Sequence, residues 1–80
     1  MRLDKFLKVS RILKRRTVAN EACDKGRVDV NGKQSKPSAQ IKIGDVVSVH
    51  FAKGELKFRV LDVSESARKE RAENMYEVLQ

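Results

Sequence analysis

The 80-residue chain has one cysteine, one histidine, one proline and no tryptophan, and each scarcity removes a class of explanation. A single Cys23 cannot close an internal disulfide, and a lone thiol fits a reducing compartment. One cysteine with His50 supplies no cluster of metal ligands, so no metal is expected. His50 also lacks a serine or cysteine at a spacing that would make a nucleophile and base pair, and reads as a surface strand residue. Asp4, Asp24, Asp29, Asp45 and Asp62 are scattered among turns and caps, with no pair spaced for general acid-base work. The four glycines close periodic segments, and neither GxGxxG nor GxxxxGK occurs, which excludes the common phosphate-cradling loops. The chain is therefore not expected to be an enzyme or to need a cofactor. No apolar run reaches 18 residues and no signal-peptide core is present, so a cytoplasmic protein with no membrane partner is expected.

What remains is charge, and it is unevenly placed. Residues 1–45 hold 12 Lys and Arg against 5 Asp and Glu, while residues 46–80 hold 6 of each, so the whole net charge of +7 lies in the first half. A charge kept for solubility has no reason to segregate in this way; a surface for a polyanion does. A chain this short is one domain that buries roughly 60–65% of its unfolded surface, so its core is thin. Hydrophobic residues make up 40% of it, enough to fold.

Along the chain, Leu3, Phe6 and Leu7 follow helical spacing and predict a short first helix within residues 1–9. Ser10 to Arg16 interrupts that pattern, with Ile12 and Leu13 as an apolar anchor. A second helix follows, with Thr17 as its expected cap, Val18, Ala19, Ala22 and Cys23 as its apolar face, and Gly26 as its stop. Residues 27–30 alternate as a strand, Asn31-Gly32 signals a tight hairpin turn, and residues 33–39, with Pro37, read as an irregular return. Gly44-Asp45 turns the chain again. Residues 46–51, with Val47, Val49 and Phe51 on one face, and residues 56–60 then alternate as an antiparallel pair joined through Lys53-Gly54-Glu55. Ser64 or Ser66 is the expected cap of a last helix reaching Leu79, with Met75 and Val78 among its less polar positions. The expected fold is α+β: two short helices on a small, mainly antiparallel sheet over residues 1–63, and a helical extension over 64–80.

The connector between the helices concentrates the cations. Arg2 and Lys5 lie one helical turn apart, and Lys8, Arg11, Lys14, Arg15 and Arg16 crowd the entrance to the second helix. Arg15 and Arg16 stand where the helix dipole opposes a positive charge, a placement better explained by an anionic ligand than by local stability. Arginine carries a planar fork suited to phosphate and able to stack on a base, which favours nucleic acid. Helix-turn-helix DNA binding fits less well, because the linker is longer than the three or four residues that motif uses, and the second helix carries Glu21 and Asp24. RNA, recognised largely through shape and backbone, tolerates such a surface better.

The run RLDKFLKVSRILKRRTVANEACDKGRVDVNGK, followed by a Pro-containing segment and IKIGDVVSV, resembles the S-four RNA-binding domain first named for small-subunit ribosomal protein four, over about residues 1–51. The free-standing length and the ending AENMYEVL are similar to the small S-four proteins of ribosome-associated quality control, and more distantly to the heat-shock S-four protein. That resemblance implies a monomeric, non-catalytic factor on the large ribosomal subunit, touching rRNA and the P-site tRNA and assisting a NEMF-type factor that adds alanine tails to stalled chains. It implies Arg2 and Arg16 as phosphate clamps with Arg11, Lys14 and Arg15 adjacent, and Asp4 as the orienter of a neighbouring cation. The full expected RNA-binding set is Arg2, Lys5, Lys8, Arg11, Lys14, Arg15, Arg16 and Lys33. The alternative is a ribosome-assembly or protein-interaction module whose basic face meets acidic partners. The RNA reading requires that folding gather these cations on one side without locking them into carboxylates.

Overall fold

Leu3, Phe6 and Leu7 point to one side because they recur every three or four residues. In the computed structural model, which describes residues 1–64 and 74–79, all three are fully buried on helix α1, Leu3–Val9. Helix α2, Arg16–Asp24, packs on α1 and buries Ala19 and Cys23. It starts earlier than expected. Arg15 is the residue before the first turn, in extended conformation and with no side-chain cap, so Thr17 lies inside the helix and caps nothing. Val18, expected on the apolar face, is 45% exposed. Gly26 does end the helix: at φ 72° it lets the Arg27 amide reach the Ala22 carbonyl and its own amide reach that of Cys23, satisfying two of the last-turn acceptors.

The strands are β1, Val28–Val30; β2, Lys33–Gln34; β3, Val46–Phe51; β4, Gly54–Val60; and β5, Tyr76–Leu79. They form one sheet in the order β2-β1-β3-β4-β5, every neighbouring pair antiparallel. Asn31 and Gly32 both take positive φ, the signature of the two-residue turn that joins β1 to β2. Asn31 is also a fastener: its side chain donates to Asp45 Oδ1 and accepts from the Val46 amide, fixing the hairpin to the start of β3. The expected α+β class with two short helices on an antiparallel sheet stands, with three local differences. Lys33-Gln34 pairs with β1 instead of running irregularly, and the β3–β4 turn falls at Ala52-Lys53, so that Gly54 and Glu55 belong to β4. The helix expected to reach Leu79 is not there at its end. Tyr76–Leu79 pairs with Lys57–Val60 as an edge strand, because the free side of β4 offers backbone partners that a surface helix would forgo. The rest of that expected helix, 65–73, lies outside the described residues.

Alternate residues of β1, β3 and β4 face the helices and close the core. Val28, Val47, Val49, Phe58 and Val60 are buried against Leu3, Phe6 and Leu7, and Ile12 and Leu13 pack at the margin. Phe6 and Phe58 stack with ring centroids 6.0 Å apart, and Tyr76 meets Phe58 edge-on at 5.4 Å. With so small a core, Phe6→Ala or Phe58→Ala alone removes about 3–5 kcal/mol.

Candidate nucleic-acid interface

The candidate site begins with how the chain's first residues are held. The first amides of α1, like those of any helix, have no acceptor within it, and the segment after β2 accepts two of them. The Leu3 amide donates to the Ala39 carbonyl at 2.8 Å and the Asp4 amide to that of Pro37 at 3.1 Å, while Arg2 lies extended beside Gln40 as an isolated antiparallel bridge. This fixes the Arg2 backbone and aims its side chain along the outside of α1.

There Asp4 collects donors. Its carboxylate is buried and accepts from Arg2 Nε and Nη2, each at 3.1 Å, from Asn20 Nδ2 at 3.3 Å and from the Lys5 amide at 2.7 Å. Arg16 Nε approaches the same carboxylate at 3.6 Å. Burial by itself raises the carboxyl pKa, but the Asn20 amide, the Arg2 fork, the Lys5 amide and the Arg16 charge together outweigh it and hold Asp4 below the usual carboxylate value. The group is therefore an anion at neutral pH. One negative charge serves two guanidinium groups, so the cluster keeps a net +1. The Arg2 and Arg16 side chains remain 43% and 48% exposed, and each has donors left over. The carboxylate orients the two arginines without cancelling them.

A second group of cations lies at the other end of α1. Lys8, Arg11 and Lys14 line one groove around Val9 and Leu13. Arg11 follows the helix at φ 64°, a left-handed conformation that costs a side chain with a Cβ about 1 kcal/mol. Its amide still donates to the Lys8 carbonyl at 3.0 Å, and the turn lets Ile12 and Leu13 tuck beneath while the arginine side chain stays exposed. Lys5 and Lys8 lie three residues apart on α1, between Arg2 just before the helix and Arg11 just after it. Arg15 is exposed immediately before α2. Lys33 stands apart at the β1–β2 hairpin and lines neither the Lys8–Arg11–Lys14 groove nor the hollow between Arg2 and Arg16.

Two participants carried no signal in the sequence. Asn20 looks like a failed capping box by spacing, yet its amide holds Asp4 from across the helix pair. Lys36, which the sequence places in an irregular return, lines with Arg2, Asn20 and Gln34 an open groove of about 680 Å³. Gly26 serves this wall too: a Cβ there would come within 2.6 Å of the Gln34 side chain. Elsewhere His50 pairs with Asp29 at 3.1 Å on the exposed sheet face, and burial, with Asp4 and Asp24 nearby, pushes the Cys23 thiol up to about 11.

A two-helix platform of this kind, carrying cations on an antiparallel sheet, defines a small α+β anion-binding module. The chain belongs to the S4 domain family, whose model matches residues 1–47. Within that family it is 52% identical to the RQC P-site tRNA stabilizing factor of Streptococcus pneumoniae and 48% identical to that of Bacillus subtilis, covering 99% of this chain and 90% and 92% of those proteins. It is 37% identical to a heat shock protein 15 homolog of Aeromonas salmonicida, over 85% of this chain and 52% of that one. The solved trimeric structure of Vibrio cholerae heat shock protein 15 superposes with a TM-score of 0.91 at 29% identity, covering 99% of this chain and 81% of that chain. A hypothetical protein solved in solution gives 0.85 at 30% identity, covering 100% and 98%.

Proposed function

We propose that this chain is a non-catalytic RNA-binding factor of ribosome-associated quality control, which docks on the large ribosomal subunit and contacts rRNA and the P-site tRNA. It acts there as a cytoplasmic monomer and supports a NEMF-type factor in adding alanine tails to stalled chains. Relatives that match it over nearly their full length and bear the name RQC P-site tRNA stabilizing factor support this reading. The observation that carries it is the Arg2–Asp4–Arg16 cluster. A buried carboxylate holds two half-exposed guanidinium groups side by side, so little side-chain entropy is lost when they close on phosphates. Arg16, Arg2 and the Lys8–Arg11–Lys14 groove supply a cationic track longer than a single phosphate needs, as an extended RNA backbone requires.

The test is co-sedimentation of Arg16→Ala with purified large subunits carrying peptidyl-tRNA. Losing one charge-assisted phosphate contact weakens association by about 10- to 100-fold. The half-exposed ion pair contributes less than about 1 kcal/mol to folding, so melting stays near wild type. Undiminished association of a folded Arg16→Ala protein would remove the RNA platform, and binding that survives ribonuclease treatment would favour the protein-interaction alternative.

A further inference from the structure

Phe6 and Phe58 are buried and Tyr76 packs against them, but Phe51 is 45% exposed. It continues the inward-facing row Val47-Val49-Phe51 of β3 past the end of the core, onto the last pair before the β3–β4 turn. Val18 of α2, exposed to the same extent, lines with Leu13 and Ala22 an open groove that ends on Phe51. Lys25 and Arg27 also line this groove, with Glu21 as its one carboxylate and the His50 side chain, already paired with Asp29, beside Phe51. Leu13 lines both this groove and the one formed by Lys8, Arg11 and Lys14, so the two are neighbours on the surface.

We propose that Phe51 is a stacking platform for an unpaired base of the bound RNA, with Arg27 and Lys25 taking the flanking phosphates. The inference rests on the RNA-binding reading above and adds to it a contact with a base. An apolar wall beside two cations matches the two halves of a nucleotide: a π face to stack, and an anion a few ångströms away. An apolar peptide helix would leave Lys25 and Arg27 unused, and an acidic one would meet Glu21 as well. The cationic groove of Lys8, Arg11 and Lys14 borders this one at Leu13, which puts Phe51 next to the charged surface that the RNA-binding reading assigns to the backbone.

The absence of tryptophan makes the test direct, because Phe51→Trp introduces a single indole. Titration with protein-free large-subunit rRNA is expected to quench its emission saturably, whereas a blunt RNA duplex at the same salt leaves it unchanged. Phe51→Leu keeps an apolar side chain at this half-exposed position, so it is expected to melt like wild type and bind the rRNA about 5- to 100-fold more weakly, with duplex binding unaltered. The proposal is overturned if the indole stays silent while rRNA binds, or if the leucine variant binds rRNA like wild type. Loss of whole-subunit association by Phe51→Leu with rRNA binding intact overturns it too, by assigning the groove to a protein. In each of these outcomes the Arg16→Ala result still decides the RNA platform separately; failure of the wild-type chain to bind any RNA removes both.

Discussion

The two cation groups at opposite ends of α1 are held by opposite means. Arg2 and Arg16 are aimed by a side chain, the buried carboxylate of Asp4, which fixes where their guanidinium groups lie. Lys8, Arg11 and Lys14 are aimed by backbone, through the left-handed turn at Arg11 that ends the helix. The chain ends its other helix with a glycine in the same conformation, Gly26 at φ 72° against Arg11 at φ 64°. At Gly26 the left-handed turn is free of strain and leaves room for the Gln34 side chain; an arginine at nearly equal φ bears the strain, which points to a use for its side chain. In the function proposed above, the first group is a preorganised clamp that sets position, and the second an electrostatic field that sets attraction.

The sharpest way to break this comparison is Asp4→Asn. The neutral amide leaves two arginines adjacent without a counter-charge, so stability is expected to fall by about 1–3 kcal/mol. RNA affinity is expected to fall as well, although a positive charge has been gained; tighter binding would show that Asp4 merely neutralises. The same variant carries a pH signature. Because folding lowers the Asp4 pKa from its ordinary 3.8, the stabilisation is present above that value and is lost as pH falls through the folded one. Acid unfolding followed by circular dichroism should therefore show wild type losing this component as pH falls below 4, whereas Asp4→Asn, with no carboxyl to protonate there, lacks that pH dependence.

Arg11→Gly separates strain from function at the second group. Relief of the left-handed conformation, less the entropy of a new glycine, leaves stability unchanged or raised by less than about 1 kcal/mol, while RNA binding weakens several-fold. Lost stability would mean that the arginine side chain packs rather than binds. Lys14→Ala is milder still: melting is unmoved, and the slope of log affinity against log salt should shrink by about one contact. The smallest effect concerns Cys23. Its raised pKa and burial keep the thiol protonated, so alkylation at neutral pH should be negligible in the native protein and rapid in denaturant.

Much of this was legible in the residues, for reasons that also explain the gaps. The spacing of Leu3, Phe6 and Leu7, the alternation of residues 46–51 and the Asn31-Gly32 pair are local patterns, and each produced the element expected of it. The end of the chain was ambiguous: Met75, Val78 and Leu79 suit a helix while Tyr76 and Val78 suit a strand, and the open edge of β4 decided it. Thr17 lost its capping role because the extended residue fell two positions earlier, at Arg15. Asp4 as an orienter came from family resemblance; reading the acids by spacing left it scattered, since Arg16 and Asn20 reach it only after α1 and α2 pack together.

The carbonyls of Pro37 and Ala39 that complete α1 lie more than thirty residues downstream of the amides they accept. During synthesis the clamp therefore cannot assemble when its own arginines leave the exit tunnel. It must wait for the return segment, so a truncated product lacking residues 37–41 would carry Arg2 and Arg16 without the framework that sets them in place.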